Sequence, residues 1–177
     1  MKTLKAIYFV VLSLGVVLII PSTNFGRSKP AARLPVITKS YATDEGQYGT
    51  IWKIYVEAEA ADTEMVKIAA VVNQPGFGHH PTDFILLKPL YRNHLKGYLQ
   101  WNTFSSKGTP REGDQILLRI SVIDKAGNES KEVDFPFTFV SGVRGRVKPP
   151  APFDRGDIPR LGYISVDFES SEGGMTE

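Results

Sequence analysis

The sequence predicts an all-β protein with the architecture of a β-sandwich. Short apolar runs recur at intervals of about 10 to 15 residues, which is the spacing of strands in sandwich domains. Glycine, proline, asparagine and aspartate fill the gaps between these runs, where turns are required. No window combines a sustained helical period of apolar residues with a capping residue, so helix is limited to short turns.

Eight segments have the composition expected of strands. They are Leu34–Thr38, Ile51–Ala60, Met65–Val72, Phe84–Leu87, Gly97–Thr103, Gln115–Asp124, Lys131–Val140 and Leu161–Phe168. Ile51–Ala60 alternates most clearly, because Lys53 and Glu57 fall on the face opposite to Ile54. Helical turns fit only near Asp62–Met65 and Tyr91–Lys96.

The clearest local signal is a hairpin formed by Gln115–Asp124 and Lys131–Val140. Gly127 and Asn128 in its connection tolerate a positive φ, and we expect Asp124 and Asn128 to cap the turn through side-chain hydrogen bonds. A strand running into VIDKAGNES, followed by a strand ending in FTF, resembles the last hairpin of bacterial extracytoplasmic immunoglobulin-like and fibronectin-III-like domains. The resemblance covers residues 34–140. It implies a single immunoglobulin-like antiparallel β-sandwich that serves binding, spacing or assembly rather than catalysis.

The N-terminus predicts an export segment over residues 1–22. Lys2 and Lys5 precede an apolar run from Ala6 to Ile20, which ends at Pro21. Fifteen helical residues span about 22 Å, which is short of the roughly 30 Å hydrocarbon core of a bilayer. Length therefore favours a cleaved signal peptide over a retained anchor, and residues 23–33 follow as a polar linker. We expect an exported protein that is periplasmic, at the cell surface or secreted, and that meets the membrane only if the leader is uncleaved.

Composition excludes several classes of function. The two leader lysines account for the formal charge of +2, so the remaining chain is close to neutral and has no electrostatic footprint for nucleic acid. The absence of cysteine excludes disulfides, thiolate metal sites and cysteine nucleophiles. An exported protein without disulfides fits a bacterial envelope better than a eukaryotic secreted domain.

The C-terminal third is expected to form an arm. Residues 141–160 are basic and proline-rich, which predicts an extended, semi-rigid spacer. Residues 161–168 alternate as a lone strand without a neighbour in sequence, and residues 169–177 form an acidic, disordered tail. This strand either adds to a neighbouring subunit or folds back onto its own sheet, beside the strand that carries Pro136. Pro136 lacks an amide hydrogen and so predicts an edge position near Phe135.

The hypothesis that follows is a non-enzymatic structural or adaptor subunit of an extracytoplasmic assembly, with protein partners and no cofactor. Its candidate partner-binding residues are Leu161, Tyr163, Ile164, Val166, Phe168 and Pro136. The alternative is a carbohydrate-binding or adhesion module that uses loop 73–80 with Phe77, His79 and His80. Two histidines and nearby Asp83 do not complete a metal site, so no metal is expected. No catalytic motif is present, and no catalytic residue is proposed.

Overall fold

The computed structural model describes residues 33–142, 145 and 147–169. The export segment 1–22, nearly all of linker 23–33 and nearly all of tail 169–177 lie outside the described residues, so the expectations for them stay predictions. The described chain is all-β, as the sequence predicts: ten strands form two sheets, and the remaining regular element is one 3₁₀ turn. No helix among the described residues has the length and apolar character needed to cross a membrane.

The strands follow the predicted segments closely. In chain order they are β1 (Val36–Tyr41), β2 (Glu45–Gly46), β3 (Ile51–Glu59), β4 (Met65–Gln74), β5 (Gly78–His79), β6 (Asp83–Leu86), β7 (His94–Asn102), β8 (Gln115–Asp124), β9 (Val133–Phe139) and β10 (Arg160–Ile164), with the 3₁₀ turn at Pro89–Tyr91. Sheet A has the order β1-β3-β7-β10, and sheet B has the order β2-β9-β8-β4-β5, with β6 also paired to β4. The two short strands β2 and β5 contain no apolar run, so the sequence pattern does not predict them.

Alternating apolar residues of both sheets fill the space between them, as in other sandwiches. Trp52 and Trp101 form a cross-strand pair on β3 and β7, with ring centroids 5.9 Å apart, and both are buried. In antibody-type domains the core tryptophan lies on the third strand. Here β4, which occupies the corresponding position, has none, and both tryptophans belong to the opposite sheet.

Pro136 lies at an edge, as the sequence predicts. Strand β9 pairs with β8 along one side, while within the described residues its other side meets only β2, at Thr138 and Phe139. The amides of Thr138 and Val140 donate outward to Asp44 and Gly46. Because a strand has a two-residue period, the nitrogen of Pro136 faces the same side. No described strand pairs with β9 there, so the lack of an amide hydrogen costs no hydrogen bond.

The C-terminal strand is not alone. Strand β10 pairs in parallel with β7, so of the two alternatives the segment folds back onto its own sandwich. Its neighbour is β7 of sheet A, and it does not lie beside β9 with Pro136. An immunoglobulin constant-type sheet is completed by a strand from the middle of the chain. Here β6 pairs with β4 instead, and β10 takes the vacant place beside β7.

The proline-rich segment is a strap rather than a free spacer. Phe153 is 2% exposed, and its ring lies 5.4 Å from that of Tyr55 on the outer face of sheet A. Tyr55 also packs against Tyr98 at 5.7 Å, and burial raises the pKa of the Tyr55 phenol. The expectation of an extended spacer failed because one phenylalanine among the prolines finds an aromatic surface to cover.

Candidate interaction surfaces

Residues 160–169, the C-terminal segment, lie in a groove at the β7 side of the sandwich. Strand pairing ends at Ile164, and beyond it side chains of the sandwich bind the segment's backbone. The amide of Ser165 donates to the Asp83 carboxylate at 2.7 Å, and the indole of Trp101 donates to the carbonyl of Val166 at 3.1 Å. These side chains replace the ladder that a regular strand would have formed.

The end of the segment is held in the same manner, by side chains that bind its backbone. The hydroxyl of Ser105 donates to the carbonyl of Phe168 at 2.8 Å. The side-chain amide of Gln74 donates to the carbonyl of Glu169 at 2.9 Å and accepts from its backbone amide at 3.1 Å. Gln74 thus pairs with Glu169 through two hydrogen bonds, as a neighbouring strand would. We call the site formed by Gln74, Asp83, Trp101, Ser105 and the edge of β7 the C-terminal groove.

Apolar side chains of the segment fill the groove. Leu161, Ile164, Val166 and Phe168 are 7%, 4%, 8% and 1% exposed. The Phe168 ring packs 5.0 Å from Trp101 and 5.2 Å from Phe139. Four of the six candidate partner-binding residues therefore take part in the core of their own chain, whereas Tyr163 is 52% exposed and Pro136 is exposed at the β9 edge.

Two glycines fit the segment to its groove. A Cβ atom at Gly162 would overlap the Cγ2 atom of Ile85, so this position has room for glycine alone. A Cβ atom at Gly97 of β7 would overlap the Leu161 side chain and lie 2.7 Å from the carbonyl oxygen of Pro159. Strand β10 thus has no side chain where Ile85 approaches it, and β7 has none where Leu161 approaches it.

A second surface is the exposed face of sheet B. We call this surface the outer B face and define it by Val71, Phe84, Leu86, Leu117, Ile123 and Pro136. Phe84 is 49% exposed and Leu86 is 75% exposed. Pro136 is also exposed, and the remaining members, Val71, Leu117 and Ile123, are half-buried. The register joins them across strands, since Leu117 pairs with Pro136, and Lys67 lies between Leu86 and Ile123.

Charged groups lie among these apolar residues and are themselves paired. The Arg119 guanidinium binds Asp134 at 2.9 Å and Glu132 at 3.1 Å. These acidic neighbours, Asp134 first, raise the pKa of Arg119. The Lys67 ammonium stacks over the Phe84 ring at 4.2 Å. The outer B face therefore presents apolar side chains around an arginine that is already oriented.

The sequence contains a signal for this face that the assignment of strands does not by itself reveal. Strands β4 and β8 carry apolar residues at consecutive positions, as in Val71-Val72 and Leu117-Leu118, where strict alternation would leave polar ones. Such continuous runs are typical of strands that are covered on both faces. In the described chain the inner face is buried, whereas the outer face is only partly covered.

Loop 73–80 separates its three candidate ligand residues. Phe77 is 42% exposed at the lip of a depression of about 240 Å³ that also includes Asp114 and Gln115. His80 turns inward, with Nε2 3.2 Å from the Gln74 side-chain oxygen, and burial lowers the pKa of its imidazole. His79 is exposed on β5. Asp83 accepts from Ser165, and among the described residues no group of three or more acidic or histidine side chains is arranged to hold a metal.

The hairpin turn is built as the sequence predicts. The Asp124 carboxylate accepts from the backbone amide of Asn128 at 2.8 Å and from its side-chain amide at 2.9 Å. Burial of this carboxyl opposes ionisation, but the hydrogen bonds, from the Asn128 side chain first, outweigh it and hold the pKa of Asp124 below its ordinary value. Gly127 takes a φ of 85°, which lets the chain reverse within the turn.

Comparison with known proteins gives similarity in structure alone. No protein-family model matches the sequence, and no curated protein matches it. The PKD domain of an M14-like peptidase from a Thermoplasmatales archaeon is 15% identical over 63% of this chain and 100% of its own, with a TM-score of 0.41. The CARDB domain of a Pyrococcus furiosus protein, in complex with di-metal ions, is 12% identical over 60% of this chain and 91% of its own, with a TM-score of 0.32. The immunoglobulin-like assignment stands on the strand order above, and the finer resemblance to bacterial or fibronectin-III-like domains stays a prediction.

Proposed function

We propose that this protein is a non-enzymatic structural or adaptor subunit of an extracytoplasmic assembly, and that it binds a protein partner through the outer B face. The observation that carries the proposal is an apolar sheet face without a cover in the described chain. Phe84 and Leu86 are large, apolar and exposed at alternate positions of one short strand, so both lie on the same face. Contiguous exposed apolar residues of this kind mark interaction surfaces on soluble proteins.

The two sheets differ in a way that supports this choice. Sheet A buries Phe153 of the strap against its outer tyrosines, so its own chain covers part of that face. Antiparallel sheets that face water normally carry polar residues outward, and here Val71, Leu117 and Ile123 interrupt the polar outward positions of β4 and β8. Aromatic residues and arginine are the residues enriched at protein interfaces, and Phe84 and Arg119 supply both.

The face is a better partner site than the sheet edges. The open edge of β9 carries Pro136 and Asp134, which obstruct the addition of another strand. The outer edge of β1 carries Lys39 and an irregular register next to it. Both edges therefore have features by which sandwiches avoid strand addition, whereas a partner that packs on the outer B face does not need a free strand edge.

A capture experiment tests the proposal. The double variant Phe84→Ser/Leu86→Ser and the control Leu90→Ser are used as bait against envelope extracts, followed by mass-spectrometric cross-linking of any captured protein. Leu90 is 77% exposed in the 3₁₀ turn, outside the face, so it matches Leu86 in exposure. We expect wild type and Leu90→Ser to retain a partner whose cross-links map to β4, β6 and β8. Equal capture by the double variant would refute the proposal.

Export is a separate part of the proposal and has its own test. Fractionation of a bacterial host that expresses the full chain, with N-terminal sequencing of the product, locates the protein and any cleavage site. We expect the protein outside the cytoplasm with a new N-terminus after Pro21. A cytoplasmic product that starts at Met1 would contradict the assignment of residues 1–22.

A carbohydrate-binding role is the second candidate, because Phe77 is exposed beside two hydrogen-bonding side chains. A ring flanked by Asp114 and Gln115 is the combination that a sugar face and its hydroxyls require. Glycan-array binding that is lost in Phe77→Ala and kept in Phe104→Ala, which is exposed elsewhere, supports this role. Equal binding by both variants rules out the loop.

A further inference from the structure

The groove that holds the C-terminal segment has the properties of a peptide-binding site. Four of its side chains bind backbone atoms of the segment, and those contacts would be the same for any extended peptide. Selectivity comes from the pockets for Ile164, Val166 and Phe168 and from the close approach at Gly162. The matching ligand is an extended segment with glycine two residues before the first of three alternating apolar side chains.

The segment enters this site from the far end of the chain. Residues 141–159 lie between β9 in sheet B and β10 in sheet A. A connection of this length does not by itself decide which copy of the groove the segment occupies. Its pairing with β7 is parallel, which within one chain requires a long connection and between two chains requires none.

We propose that the C-terminal groove also takes the C-terminal segment of a second copy of this chain, giving a strand-exchanged dimer. The contacts in the exchanged state are the ones described above, because donor and acceptor sequences are identical. A flexible connection gives intramolecular seating an effective concentration on the order of 1 mM, and the contact of Phe153 with Tyr55 makes this a lower bound, so exchange is favoured only when the protein concentration reaches that range or exceeds it. The proposal is independent of the outer B face, because none of the residues that define that face belongs to the groove. The groove lies at the edge of sheet A that is opposite to β1.

The register of β10 supplies a test that is specific for this contact. Tyr163 pairs with Gln100 of β7, and both side chains lie on the solvent side of sheet A. Neighbouring strands are about 4.8 Å apart, which is within the range that a disulfide can bridge. The natural chain has no cysteine, so introduced thiols have no competitors.

In the experiment, full chains carrying only Gln100→Cys and full chains carrying only Tyr163→Cys are unfolded together, refolded at increasing concentration and oxidised. The double variant Gln100→Cys/Tyr163→Cys, treated alone at low concentration, verifies that the segment seats after refolding and that the two thiols can join. A mixture in which Glu59→Cys replaces Gln100→Cys measures collisional cross-linking, because Glu59 is exposed on the same sheet but away from β10.

We expect a cross-linked heterodimer whose yield rises with concentration and exceeds the Glu59→Cys mixture about tenfold as the chains near 1 mM. Adding Gly162→Val to the donor chain should abolish this excess, because the new side chain meets Ile85. If the double variant closes within its own chain while the mixture gives no more heterodimer than the Glu59→Cys control at any concentration, the groove accepts only its own segment and the proposal is overturned.

Discussion

At the scale of single residues, the fold depends on places where a side chain is missing. Gly162 and Gly97 let β10 approach Ile85 and let β7 approach Leu161, and neither has a positive φ that would explain the glycine by conformation. Nothing in a single sequence distinguishes such a glycine from one in a turn. The close approach depends on which strands are neighbours in space, and a single sequence does not encode this.

Gly162→Ala should therefore destabilise the protein more than an ordinary surface substitution. The added methyl must displace Ile85, and overpacking of this kind costs about 1–3 kcal/mol. Gly156→Ala is the matched control, because its Cβ would meet open space. It should change the free energy of unfolding by less than about 0.5 kcal/mol. Urea unfolding of both variants checks this, and equal stabilities would contradict the assigned contact.

Asp124 gives a prediction on pH dependence. Its folded pKa is lowered, so its contribution to stability is present above the unfolded value of about 3.9 and is lost as the pH falls through the folded pKa. Wild type should exceed Asp124→Asn in the free energy of unfolding at pH 6–7, and the difference should shrink toward pH 3. Asp154→Asn, an exposed carboxylate in the strap, serves as the control. A difference that stays constant over this range would show that ionisation of Asp124 is not involved.

At the scale of elements, the sequence predicted strands well and their neighbours poorly. Ile51–Ala60 and Gln115–Asp124 were located almost to the residue, because the two-residue period and the turn residues are local properties. The place of β10 beside β7 and the contact of Phe153 with Tyr55 depend on residues far apart in the chain, and no local pattern encodes them. The consecutive apolar residues of β4 and β8 are a local signal, but whether another element covers the outer B face depends on residues far apart in the chain.

The strap gives a prediction at this scale. Phe153→Ala removes the ring that holds residues 147–158 against sheet A, so we expect local opening of the strap together with a loss of up to about 3 kcal/mol. Tryptic cleavage after the exposed Arg155 should accelerate. Val147→Ala, which alters an exposed residue, should not change the cleavage rate. Cleavage at the wild-type rate in Phe153→Ala would mean that the ring does not hold the strap.

At the scale of the whole molecule, the C-terminal segment is part of the core. Phe168 is fully buried, whereas Tyr163 of the same segment points to solvent. Phe168→Ala should therefore cost about 3–5 kcal/mol. Tyr163→Ala should cost less than about 1 kcal/mol, within the range of surface substitutions. Thermal unfolding compares the two, and similar melting temperatures would contradict seating of the segment in the groove.

Removing residues 160–177 should have a larger effect. The loss of Leu161, Ile164, Val166 and Phe168 at about 2–5 kcal/mol each approaches the whole stability of about 5–15 kcal/mol for a domain of this size. We expect the truncated chain to lack a cooperative unfolding transition. A truncated chain that melts at the wild-type temperature would show that the segment is a free arm. That result would favour the alternative in which the strand adds to a neighbouring subunit.

The position of β10 also sets the order in which the molecule can be made. Chains emerge from the ribosome with the N-terminus first, so among the described strands the one that closes sheet A is made last. Until then β10 does not cover the edge of β7, and Phe168 does not cover the rings of Trp101 and Phe139. The sandwich is therefore incomplete. The sandwich therefore cannot close while the chain is still being made. In a chain that is exported during its synthesis, such late closure would keep the chain able to pass through a narrow pore.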